Sequence, residues 1–130
     1  MTMILVHRLE LAERVDLALD GDMLDWLADH VGMGRSDIWL RHARGMVGDL
    51  SGAERLVDDL FPGAYWAVGK AKDRSDAAEA HAVLIPVGAA SPIVSSARWP
   101  ANALIAATVR AYAAGALSVP FAANDRGRAA

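Results

Sequence analysis

The stretch Trp99–Gly115, WPANALIAATVRAYAAG, constrains the fold more than any other part of the chain. Pro100 suits a first helical position, where its missing N–H is not needed. Gly115 suits the position just past a helix end, where a left-handed backbone costs little. Stepping about 100° per residue places Arg110 among Ala103, Ala106, Ala113 and Ala114. The opposite side collects Ala101, Leu104, Ile105, Thr108, Val109 and Tyr112. The pattern predicts a helix that lies over a core as its lid. The alanine side is expected to face outward, toward solvent or a second chain. On that phase Leu104→Asp unfolds the protein and Ala106→Asp is tolerated. The stretch is shorter than the ~20 apolar residues needed to cross a bilayer.

A chain of 130 residues, 54% hydrophobic and 22% charged, is expected to form one domain with a real core. That domain is expected to span residues 1–115, with 116–130 as an extended or disordered tail. The chain has no cysteine, which excludes disulfides, thiolate zinc sites and a cysteine nucleophile. The N-terminal MTMILVHRLELAERV lacks a basic start and is soon interrupted by charge, so it does not read as a signal peptide. A cytoplasmic protein of a bacterial host is the expectation. Residues 1–65 carry 6 basic and 12 acidic side chains, and residues 66–130 carry 7 and 4. An acidic half disfavours direct docking on nucleic acid. It suits a basic protein partner, such as one that itself binds nucleic acid.

Helical spacing predicts a helix from about Leu9 to Leu19, with MILV as its first turn or as a short strand. Gly21 interrupts it. Asp22 is then expected to cap a second helix through Val31, ended by Gly32. Asp16, Asp20, Asp22, Asp25 and Asp29 make this region acidic, but their spacing does not match a calcium loop. Ser36 is expected to cap a third helix carrying Trp39 and His42. Ser51 and Glu54 form a capping box for a helix through Phe61, stopped by Phe61-Pro62-Gly63. Tyr65–Ala71 alternates as a strand. A polar loop follows, then a nearly apolar strand over Ala80–Val87, so a hairpin is expected. Ile93–Ala97 is a candidate third strand. The fold class is therefore α+β, with several helices on a small two- or three-stranded antiparallel sheet.

The segments DLSGAERLVDDLFPGAYWAVGKA, AHAVLIP and WPANALIAATVRAYAAG together resemble the phage ABA sandwich domain, a family of small phage and prophage proteins. The resemblance covers about residues 49–115. It is carried by Ser51, Ala53, Val57, Trp66, Pro100, Ala101, Leu104, Ala107 and Ala111. It implies helices packed on a small antiparallel sheet and transfers no catalytic residue. Residues 20–48 depart from it as added helical material.

No residue pattern points to catalysis. His30 and His42 with Asp29 and Asp37 lack zinc-ligand spacing. His81 lies on a strand with Val83 and Ile85 and reads as packed or surface. There is no nucleophile elbow and no phosphate-cradling loop. No cofactor or metal is expected. Trp66 and Trp99 fall where the core should be. Trp39 either packs on the second helix or forms a binding hot spot with Arg35, Arg41 and Arg44. The expected function is a phage- or prophage-type accessory protein that binds a macromolecular partner and inhibits a host or defence complex. The alternatives are a homo-oligomeric component of a phage particle and, more remotely, a small hydrolase or nuclease. Neither a membrane nor nucleic acid is an expected direct partner.

Overall fold

The computed structural model describes residues 2–12, 16–31, 45–71 and 79–115. In chain order these form helix α1 (Thr2–Leu11), helix α2 (Leu17–Trp26) continued by a π-helical turn (Leu27–Val31), and helix α3 (Leu50–Leu60). Strands β1 (Tyr65–Ala71), β2 (Glu79–Ile85) and β3 (Ile93–Ala97) follow, then helix α4 (Pro100–Ala113). The sheet is antiparallel in the order β1-β2-β3. The architecture is α+β, as the periodicities predict. The expected helix at Ser36 and the tail after Gly115 lie outside the described residues.

The N-terminal region divides differently from its sequence reading. MILV is helical, and α1 buries Leu5, Val6 and Leu9 along one stripe. The helix expected over Leu9–Leu19 does not form as one piece, since α1 ends at Leu11 and α2 begins at Leu17. Asp16, with φ −137°, caps α2 by accepting the Leu19 N–H at 3.0 Å. Asp22 is not a cap but sits mid-helix. Gly21 is carried through the helix, at a cost of about 1 kcal/mol relative to alanine. Burial of Leu19, Met23, Leu24 and Trp26 outweighs that cost.

The cap of helix α3 lies two residues before the expected one at Ser51. Ala53 N–H bonds Asp49 O at 3.0 Å, and the Asp49 carboxylate accepts the Ser51 N–H at 3.2 Å. Asp49 is therefore the cap and Ser51 lies inside the helix. The apolar stripe is as expected, with Ala53, Leu56, Val57 and Leu60 buried. Pro62 then turns the chain, closed by Ala64 N–H to Phe61 O at 3.0 Å.

The strands show the expected alternation. Ala80, Ala82, Leu84, Ser95 and Ala97 point inward and are buried, while Tyr65, Ala67, His81 and Val94 point outward. The second strand ends at Ile85, one residue before Pro86, which has no N–H to donate to a ladder. Trp66 is half-buried against the core. Trp99 is not a core residue: it is 39% exposed, with Lys70 Nζ 5.7 Å from its ring centre.

Helix α4 begins at Pro100 and ends before Gly115, as its termini predict. Its role differs from that of a lid. Ten of its 14 residues are buried, including Ala103 and Ala106 on the side expected to face outward. The sheet covers one side, and α1 and α3 cover the other. Small side chains make this possible, because Ala103, Ala106, Ala107 and Ala111 let neighbouring backbones approach closely. Arg110, whose charge predicts a solvated side, instead reaches Glu10 on α1 at 2.6 Å. Thr108 returns its hydroxyl to Leu104 O at 2.8 Å, so its burial leaves no orphan donor.

The turn before α3 is the meeting point of the helices. Buried Asp20 on α2 accepts the Met46 N–H at 2.7 Å and the Val47 N–H at 2.8 Å with one carboxylate oxygen. Buried Asn102 on α4 accepts the Gly48 N–H at 2.8 Å. Gly45 has φ +95°, and a Cβ there would stand 2.8 Å from Asp20 Oδ2. A Cβ on Gly52 would stand 2.2 Å from Gly45 O. Both glycines are needed for backbone to come this close.

Two outcomes test this arrangement. Ala106→Asp is expected to abolish cooperative thermal unfolding just as Leu104→Asp does, because both bury an unpaired carboxylate at a cost of several kcal/mol. A melt of Ala106→Asp like that of the parent would restore an outward alanine face. Asp20→Ala is expected to lower stability by about 3 kcal/mol, since two buried N–H groups lose a charged acceptor. Amide exchange at Met46 and Val47 should accelerate more than at Leu104.

Candidate functional site

The residues expected to bind a partner, Arg35, Trp39, Arg41 and Arg44, lie outside the described residues. So do His42 and Asp37 of the metal arrangement that the spacing disfavours. Among the described residues the site with defined geometry is a cleft of about 300 Å³ between α1 and α2 with its π turn. That volume is at the lower end for small-ligand pockets.

The cleft follows from helical spacing. Asp22, Asp25 and Asp29 are three and four residues apart, which places their exposed carboxylates along one face. Trp26 and His30 are four apart and stack, with ring centres 5.6 Å apart and planes at 22°. Trp26 is buried, and its indole N–H donates to Thr2 Oγ1 at 3.3 Å. Tyr112 of α4 meets the Trp26 ring edge-on at 5.3 Å and donates its hydroxyl to His30 O. Ile4 and Leu5 of α1 supply the apolar wall opposite, and Arg8 reaches across to Asp22.

The π turn has a physical role here. A widened turn leaves backbone carbonyls without their α-helical partners, and such turns concentrate at functional positions. Tyr112 satisfies the His30 carbonyl, and the His30 Nδ1 lies 3.2 Å from Trp26 O. The aromatic trio therefore fixes the end of α2 against α4. Asp29 makes no ion pair with any described residue. The lining thus combines three carboxylates, one guanidinium already engaged by Asp22, and an aromatic floor. Such a lining favours a cationic group with a flat or apolar body. No cluster of three metal-ligating side chains occurs among the described residues.

The other sequence candidates are dispersed. His81 is exposed on β2 and pairs with Ser96 Oγ at 2.8 Å. His7 stands 3.5 Å from Glu10 on the surface of α1. The acidic run is visible in the sequence and the cleft is not. The spacing of Asp22, Asp25 and Asp29 about Trp26 was the available signal. The partners Ile4, Arg8 and Tyr112 had no local signature.

No helix among the described residues is long and apolar enough to cross a membrane. Comparison of the chain with protein-family models, curated proteins and solved structures finds no match.

Tyr112→Phe tests whether the aromatic trio holds the cleft. It is expected to cost about 1 kcal/mol of stability. The indole fluorescence of Trp26 should change, read in a variant with the other tryptophans replaced by phenylalanine. An unchanged Trp26 signal would mean that the hydroxyl does not position the π turn.

Proposed function

We propose that the protein is a small phage- or prophage-type accessory protein that binds a basic macromolecular partner through the α1–α2 cleft. Inhibition of a host or defence complex would be the consequence of that binding. The observation that carries the reading is the cleft itself, which sets Asp22, Asp25 and Asp29 around the stacked Trp26 and His30. An arginine side chain matches both parts, since its guanidinium pairs with carboxylates and stacks on an exposed ring, here that of His30. The acidic excess of residues 1–65 would favour encounter with such a partner. The phage assignment rests on the resemblance over residues 49–115, whose helix, hairpin and closing helix have counterparts in α3, β1, β2 and α4.

Titration with a fluorescent arginine-rich peptide tests the cleft, with a glutamate-rich peptide as control. Binding of the first alone is expected, weakening as salt is raised. Asp25→Lys combined with Asp29→Lys should weaken it by at least about tenfold, or about 1.4 kcal/mol. Both positions are exposed, and the melt of the double variant checks that its fold is kept. Absence of binding at low salt, or equal binding by the double variant, would overturn the assignment.

A further inference from the structure

Among the described residues, no strand pairs with the outer edge of β1. Strand β1 is terminal in the order β1-β2-β3. The inner residues Ala80, Ala82 and Leu84 of β2 are fully buried, whereas Trp66 and Val68 of β1 are only half-buried. Among the described elements, helix α4 packs mainly on β2 and β3 and less on β1. The other edge is better guarded, because α1 packs beside β3 and Arg98 N–H bonds Glu10 O at 3.2 Å. Natural edge strands are usually blunted by proline, bulges or several charges. The β1 sequence YWAVGKA has no proline, its register with β2 is unbroken, and Lys70 is its only charge. By register the outer face of β1 and β2 holds Tyr65, Ala67, Gly69, His81, Val83 and Ile85, and its one charged position is Glu79, opposite Ala71 at the end of the ladder.

We propose that β1 pairs antiparallel with β1 of a second copy of this chain, about a two-fold axis at Val68. The strand is complementary to itself in that register. Val68 faces Val68 of the other copy, and Ala67 faces Gly69. Lys70 faces Trp66, which sets the one cation of the strand against an aromatic ring rather than another lysine. A two-fold pairing uses the same patch on both copies and closes at two, leaving the guarded β3 strands at the outer edges. The contact is small. Seven residues extend about 24 Å and a sheet layer is about 10 Å thick, giving about 240 Å² per copy. That is well below the ~800 Å² per partner of a stable complex. The dimer is therefore weak and concentration-dependent, with the backbone ladder setting its geometry.

Sedimentation of the full chain between about 10 µM and about 1 mM tests this, spanning the range in which so small an interface associates. A reversible monomer–dimer equilibrium is expected. Ala67→Lys combined with Gly69→Lys sets lysines directly opposite one another twice across the axis. It should weaken the dimer at least about tenfold. A Cβ at Gly69 meets nothing within 4 Å and Ala67 is exposed, so the monomer should accept both changes. Val94→Lys, on the far strand, should dimerise like the parent. Because the chain has no cysteine, Val68→Cys gives an independent readout. Mild oxidation should link the two copies covalently, even if the lysine variant fails to fold. A parent that sediments as monomer throughout would overturn the proposal. So would a folded lysine variant that dimerises unchanged, or Val68→Cys that does not cross-link.

Discussion

The carboxylate of Asp20 is the contact on which the arrangement of the helices depends. An ionised group withdrawn from water must be met by several donors, and here two consecutive backbone N–H groups supply them. Those amides belong to Met46 and Val47, whose side chains are themselves fully buried. The bracket thus fixes the turn that launches α3. Asn102 holds the next amide, and its Nδ2 also reaches Ala12 O at 3.5 Å. One turn is thereby tied to α2, to α4 and, through Asn102, to the end of α1. Removing any of these acceptors leaves backbone donors buried without partners, which costs more than the bond alone contributed.

With the turn fixed, α4 can be buried on both sides. Alanine contributes little area of its own, so the gain comes from what it allows to come near. Leu9 from α1, Leu56 and Leu60 from α3 and Leu84 from β2 are all buried in the one core cluster that includes α4. The Glu10–Arg110 pair closes the α1–α4 contact at a partly exposed position, where an ion pair contributes little net stability but sets orientation. Helix α4 is therefore the centre of the fold.

Short-range patterns in the sequence were sound guides. Pro100 and Gly115 bound α4, the alternation in Tyr65–Ala71 marks β1, and the candidate strand Ile93–Ala97 is β3. The hydrophobic phase of α3 was also legible, although its cap was not. Asp49 and Ser51 are both good caps, and the bonds from Ala53 N–H and Ser51 N–H to Asp49 distinguish them. What could not be read depends on distant partners. Asp20 resembled its acidic neighbours because its donors are backbone amides 26 and 27 residues away, which have no side-chain signature. Arg110 suggested a solvated face because its partner lies 100 residues earlier. The cleft was half legible: one helix supplied a visible face of carboxylates, and the opposite wall came from elsewhere.

The five aspartates around α2 show how one residue type is divided between fold and site. Asp16 ends in a cap, and Asp20 turns inward to the bracket. Two residues further on, a rotation of about 200° places Asp22 on the outer face with Asp25 and Asp29. Asp22, Asp25 and Asp29 thus form a directed acidic face on the α1–α2 side. Helix α1 packs beside β3, the edge away from β1. A dimer joined through β1 would therefore carry its two clefts toward opposite ends. Two basic segments on one partner, or on adjacent copies of a partner, could then be held together. The second contact would be made at an effective concentration set by their spacing. In that geometry a weak dimer and a modest cleft reinforce each other, because occupation of both clefts by one partner also favours the paired state.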